Sequence, residues 1–176
     1  MAIGHVTKLS ALDHAALETV GRKLAHAGVA LTVLPSTDLF LMGRGAAHSV
    51  PRGVAPAHRL LDQGVICSLA TNNVLNPFTP FGDCSLLRMA NLYANVAQLG
   101  QPDQIQACLE MVTSHPAKLM NLADYGIAVG NPADIVALDC TDSASAVAEL
   151  AQPLLAMKRG RMSFSRPKAS INWPAV

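Results

Sequence analysis

Charge is scarce in this sequence. Only 14% of its 176 residues are Asp, Glu, Lys or Arg, and they nearly cancel, to a formal net charge of +1. No face of one sign can be assembled from so few scattered charges, which argues against a nucleic-acid or membrane partner. The one basic cluster, Lys158-Arg159-Gly160-Arg161, reads equally well as a solvated turn. Long apolar runs are missing too: stretches such as Val65 to Ala70 are of strand length, far short of the roughly 20 residues that span a bilayer. Met1-Ala2-Ile3-Gly4-His5 shows no cationic segment leading into an apolar one, so no secretory leader is predicted and the expected location is the cytoplasm. None of the four cysteines, Cys67, Cys84, Cys108 and Cys140, stands in a C-x-x-C spacing. They read as buried, reduced thiols.

What is abundant is apolar side chain. Hydrophobic residues make up 51% of the chain and the mean hydropathy is +0.30, enough for one domain to bury a sizeable core. For an independent domain of this size the value is high, and part of the apolar surface is expected to meet a partner or further chain.

The pattern along the chain alternates strand and helix. Ile3 to Thr7 reads as a strand, and Ser10 or Asp13 can cap a helix that Gly28 ends near Ala27. Val29 to Leu34 is a continuous apolar run stopped by Pro35, as in a strand buried on both faces. Pro35 to Ala55, with Gly43, Gly45, Pro51 and Gly53, reads as a long irregular segment, a candidate lid or substrate loop. A short helix from Ala57 to Gln63 precedes a third strand, Val65 to Ala70, which runs into Thr71-Asn72-Asn73. This order implies a parallel α/β architecture. After the turn-rich stretch Asn76 to Gly82, Asp83 can cap a helix of about sixteen residues that ends by Gly100. Pro102 opens a helix to about Ser114, and His115 to Leu122 reads as one more. Beyond Gly126 the character changes. Ala133 to Leu138, a short helix from Ser143 to Leu150, and Leu154 to Met157 paired with Met162 to Phe164 make a small β appendage. The tail from Pro167 to Val176, with the single Trp173, is expected to be loosely ordered.

Parallel α/β sheets carry their chemistry at the C-terminal ends of strands. The polar groups there are His5 in the first strand, Pro35-Ser36-Thr37-Asp38 after the second and Thr71-Asn72-Asn73 after the third. Taken singly, His5 reads as a core histidine, Asn72 and Asn73 as turn formers, and Phe78 and Phe81 as packing residues. His14, His26, His48, His58 and His115 have no ligand spacing and receive no role.

Taken together, Gly4-His5-Val6-Thr7, Leu41-Met42-Gly43-Arg44, the stretch from Asn72 to Gly82, and Asp124-Tyr125-Gly126-Ile127 with Gly130-Asn131 resemble successive landmarks of the cytosine-deaminase-like amidohydrolases. The likeness runs from about Ile3 to Arg161. It implies an α/β fold, the last part of an amidohydrolase-type β/α barrel: residues 1–125 as its last three strands and following helices, residues 126–176 as part of a β-sandwich appendage and tail. It also implies hydrolysis of a C–N bond in a pyrimidine-like heterocycle such as cytosine, with zinc or iron activating the attacking water. By position His5 matches the family's catalytic sixth-strand histidine and Asn72 its metal-binding Asp. Asn73 matches a second Asp near the substrate, and Phe78 an aromatic residue that closes the pocket.

Two departures stand beside the resemblance. The sequence contains no His-x-His pair and no match to the family's fifth-strand His and its Glu, so the first five barrel strands are missing from it. Asn72 also offers a neutral oxygen where the family has a carboxylate. The expectation is a chain that holds no metal and is inactive by itself, although its full-length parent would act on a heterocyclic small molecule. The alternative is a non-catalytic half-barrel, a binding or structural protein that associates with itself or with a complementary chain.

Overall fold

The computed structural model describes residues 1–172. Three short parallel strands, β1 (Ala2–Gly4), β2 (Ala30–Val33) and β3 (Cys67–Leu69), lie side by side in that order. Their register aligns Gly4, Thr32 and Ser68 in one row and Ile3, Leu31 and Cys67 in the next, so the period-two alternation sorts them onto opposite faces. Leu31, Val33, Cys67 and Leu69 are all at most 2% exposed and pack with Leu17, Leu60, Tyr93 and Met111. Each such aliphatic side chain stabilises the fold by about 1.5–3 kcal/mol. Ala30 and Thr32 on the other face remain only half-buried. The apolar run of β2 is therefore covered on one face, not on both as its composition suggests.

The outer edge of β3 is not free. Leu69 N–H donates to the Met111 carbonyl at 2.9 Å, and His115 Nδ1 lies 3.1 Å from the Cys67 carbonyl. The turn after α5 (Pro102–Glu110) and the start of α6 (Ser114–Leu119) thus close that side. Among the described residues, the ladder positions beyond β1 have no strand partner.

Most helix starts follow from local capping. α1 (His14–His26) begins where the Asp13 carboxylate accepts from Ala16 N–H, and it gives way to Gly28 at φ 61°. α3 (Ala57–Leu61) leads into β3. α4 (Leu86–Ala97) is capped by Ser85; Asp83 instead accepts from Ser85 N–H and pairs with Arg88. At 12 residues α4 is shorter than the spacing predicts, because Gln98 turns into the left-handed region at φ 57° and ends it. α5 opens at Pro102 as expected but stops at Glu110; after a short turn α6 starts at Ser114, one residue before the expected His115, and ends at Leu119, short of Leu122.

Two expectations near the strand ends are corrected. β1 stops at Gly4, and Thr7–Ala11 coil into a 3-10 helix, so His5 sits just past the strand and not within it. Pro35 does not open an irregular loop; it occupies the first turn of α2 (Pro35–Leu41), where its missing N–H costs nothing. The irregular part begins at Met42.

A second, antiparallel sheet is formed by β4 (Ile135–Leu138), β5 (Pro153–Lys158) and β6 (Arg161–Ser165), with the β5–β6 hairpin turning at Arg159-Gly160. Between β4 and β5, α7 (Ser143–Ala148) packs back on α4 and α5. Val147 is fully buried there, and its carbonyl accepts from Asn91 Nδ2 at 2.9 Å. Residues 167–172 form no helix or strand, and Trp173 to Val176 lie outside the described residues.

Candidate functional site

The C-terminal ends of the three parallel strands bring together His5 after β1, the first turn of α2 after β2, and Asn72 after β3. Two of these junctions are strained. His5 has φ 64°, Val6 φ 48° and Asn72 φ 58°, a region that non-glycine residues rarely occupy and a β-branched one such as Val6 hardly at all. Such conformations persist only where the surroundings over-determine them, and they cluster at functional sites.

What holds them here is a chain of polar contacts. His5 Nδ1 lies 2.6 Å from Asp38 Oδ1, and His5 Nε2 lies 3.1 Å from Asn72 Nδ2. Asp38 is 2% exposed. Its other oxygen faces the Leu34 N–H at 3.4 Å, so the same carboxylate braces the start of α2. Burial pushes the Asp38 carboxyl above the usual carboxylate range, and the bond from His5 pulls it back in part.

Asn73 belongs to a separate bracket. Asn76 Oδ1 accepts from the backbone N–H groups of Phe78 and Thr79, both at 3.0 Å. Backbone N–H groups can only donate, so the remaining amide atom of Asn76 is its NH2, which donates to Asn73 Oδ1 at 2.9 Å. Asn73 is left with its own NH2 free of a protein acceptor among the described residues. The bracket is tied to α2 through the hydroxyls of Thr37 and Thr79, each 1% exposed. The first turn of α2 therefore holds both halves of the arrangement, Asp38 on His5 and Thr37 on the Asn73 turn.

The sequence reading named His5 and Asn72, which the structure joins directly, and Asn73 and Phe78, which share the Asn76 bracket. The Phe78 ring is 60% exposed. Phe81 packs edge-on against Phe40, with centroids 5.9 Å apart. Of the histidines given no role, His58 bonds Tyr93 and His115 caps β3. Thr37 and Asp38 were named only as polar residues after the second strand and were given no role. The signal that points to them is Pro35 as a helix start followed three residues later by an acid, the composition of a first helical turn.

A metal does not fit this donor set. Among the described residues no three His, Cys, Asp or Glu side chains converge on one point, both His5 nitrogens already have partners, and Asn72 offers only a neutral carbonyl oxygen.

Comparison with known proteins agrees with this architecture. A family model described as the amidohydrolase family matches residues 3–164. The chain is 30% identical over 135 residues to a pterin deaminase of Rhizobium rhizogenes, a match covering 76% of this chain and 30% of that protein. It is 28% identical over 108 residues to the N-isopropylammelide isopropyl amidohydrolase of Pseudomonas sp. strain ADP, covering 61% and 27%. Among solved structures, the 5-methylcytosine deaminase of Klebsiella pneumoniae, liganded with 5-fluorocytosine, superposes with a TM-score of 0.91 at 26% identity, over 98% of this chain and 42% of that one. The chain belongs to the amidohydrolase family, and its fold is part of the amidohydrolase fold. Within the family its likeness is to deaminases and related hydrolases of heterocycles. It spans under a third of the length of these curated relatives.

Proposed function

We propose that this chain supplies the His5 side of a site that hydrolyses a C–N bond in a flat nitrogen heterocycle. In the reaction a water oxygen bonds to an amidine carbon, the exocyclic C–N bond breaks, and the amino group leaves as ammonia. One observation carries this reading: His5 and Asn72, from the two outer strands, meet at 3.1 Å at the strand ends, where parallel α/β folds place their chemistry. Family membership and the heterocycle substrates in the names of the relatives support it.

In this reading His5 orients the attacking water and takes up its proton. The Asn73 NH2 donates to a ring acceptor such as a carbonyl oxygen, and the Phe78 ring offers a face for stacking. Cytosine, with an amidine beside a carbonyl, fits this set. Residues 1–125 are the barrel part and 126–176 the appendage. The family resemblance assigns the water-activating role to a divalent metal; these residues do not hold one, so 176 residues alone give no turnover.

A second reading, a non-catalytic half-barrel that pairs with another chain, is favoured by Asn72 and by the absence of converging metal donors among the described residues. Metal content of the purified chain, measured with ammonia release from cytosine and from a pterin, tests both. Neither metal nor ammonia is expected from the chain alone. Addition of a polypeptide carrying the remaining barrel strands restores both on the first reading and neither on the second.

A further inference from the structure

We infer that Asp38 is a positioning residue, which fixes the proton of His5 on Nδ1 and thereby sets the polarity of the Asn72 amide beside it. The first step is hydrogen-bond accounting. A carboxylate can only accept, so at 2.6 Å from Asp38 Oδ1 the His5 Nδ1 must carry the hydrogen. In a neutral imidazole the other nitrogen is then a lone pair. Asn72 meets that lone pair with its NH2, at 3.1 Å, which leaves the Asn72 carbonyl oxygen as the atom free to accept. Assignment of the Asn72 amide follows from the histidine, and that of the histidine from Asp38.

The second step is rigidity. A carboxylate selects a tautomer only if it cannot swing away. Asp38 sits in the first turn of α2, where its N–H donates to the Leu34 carbonyl at 3.0 Å and its second oxygen faces the Leu34 N–H. Its neighbours Pro35 and Thr37 are buried, and Thr37 is bonded to Thr79. The His5 and Asn72 backbones are both in the left-handed region, a conformation that persists where such constraint holds it.

The consequence for chemistry rests on the role of His5 proposed above. With the lone pair on Nε2, the ring is an acceptor at the strand ends, filled here by the Asn72 NH2, and it can take a proton from a water that displaces that amide. With the opposite tautomer it can only donate there. A charge-assisted bond of this kind is worth about 1.5–3 kcal/mol, or roughly tenfold or more in tautomer ratio.

The test is long-range 1H–15N correlation spectroscopy on the full chain with labelled histidine, at a pH where imidazoles are neutral. His5 is assigned by loss of its signals in His5→Gln. The wild-type chain is expected to show Nδ1 protonated and Nε2 unprotonated, by about tenfold or more. Asp38→Ala reverses the majority to Nε2–H, the tautomer favoured by imidazole in water. Asp38→Asn, which keeps the size of the side chain should the alanine variant fail to fold, lowers the Nδ1–H share. Thr37→Val loosens the same turn of α2 while keeping the carboxylate, and lowers the Nδ1–H share by much less than Asp38→Asn does. A proton on Nε2 in the wild-type chain overturns the inference, as does a tautomer that Thr37→Val shifts as far as Asp38→Asn does. The readout needs no turnover, so failure of the deaminase reading and failure of this one are separate results.

Discussion

Replacing Tyr93 by Phe removes one oxygen from a fully buried ring and leaves its shape intact. The Tyr93 hydroxyl lies 3.1 Å from the backbone N of His58 and 2.9 Å from His58 Nδ1. α3 follows Pro56 and has no side-chain cap of its own, so a residue 35 positions away supplies one for its first turn. Loss of an N-cap costs about 1 kcal/mol, and a buried donor left unpaired costs about 1–3 kcal/mol. Because Phe keeps the ring, no cavity adds to this, and a loss of about 2 kcal/mol is expected. For a chain of this size that corresponds to a fall of about 4–8 °C in melting temperature. Burial holds the Tyr93 phenol well above its ordinary pKa, so its ionisation contributes nothing between pH 6 and 9 and the deficit stays flat across that range from this group. Urea unfolding followed by far-UV circular dichroism measures it. A loss under about 0.5 kcal/mol would refute the reasoning, because it would mean that water or a shifted His58 satisfies the freed N–H.

The four thiols are expected to divide by burial. Burial alone pushes Cys67 up to about 12 and Cys108 up to about 11, so iodoacetamide at pH 8 should label exposed Cys84 first and leave these two untouched until the chain unfolds. Their raised values also mean that the stability they lend is complete below the unfolded thiol value near 9 and is lost as pH rises through about 11 to 12, which alkaline unfolding of Cys67→Ser and Cys108→Ser variants checks. Gly53 has φ 68°, and an added Cβ would lie 2.3 Å from Met42 Cγ; Gly53→Ala should cost at least about 1–3 kcal/mol in urea unfolding. Asn72→Asp restores the family's carboxylate, yet elemental analysis should still find no stoichiometric metal, since one added carboxylate does not bring a third donor to the site.

Local signals decided much of this chain. Asp13 and Gly28 bound α1, Pro102 starts α5, and the Arg159-Gly160 turn joins two strands, because each rests on a capping bond or a backbone preference that neighbouring residues satisfy. The strand–helix order gave a parallel sheet for the same reason. The errors arose where a local signal has two meanings. Pro35 both stops a strand and starts a helix, and only the tertiary contacts of α2, its packing on α4 and the burial of Thr37 and Asp38, select the second. Asp83 and Ser85 are both competent caps, and the Arg88 pairing draws Asp83 away. At the site, His5 and Asn72 were named through family resemblance, 67 residues apart. Asp38 was visible only as one polar residue after a strand.

The sequence by itself determined which residues are apolar, where helices can begin, and that three strand ends carry polar side chains, all properties of short range. Tertiary structure alone decided that Asp38 is buried against His5, that Asn76 occupies the Asn73 carbonyl oxygen and leaves its NH2 as the available group, and that Tyr93 caps a helix far from it in the chain. Those outcomes depend on which buried groups find partners when water is removed, and the pairing is set by the three-dimensional arrangement of elements distant in sequence.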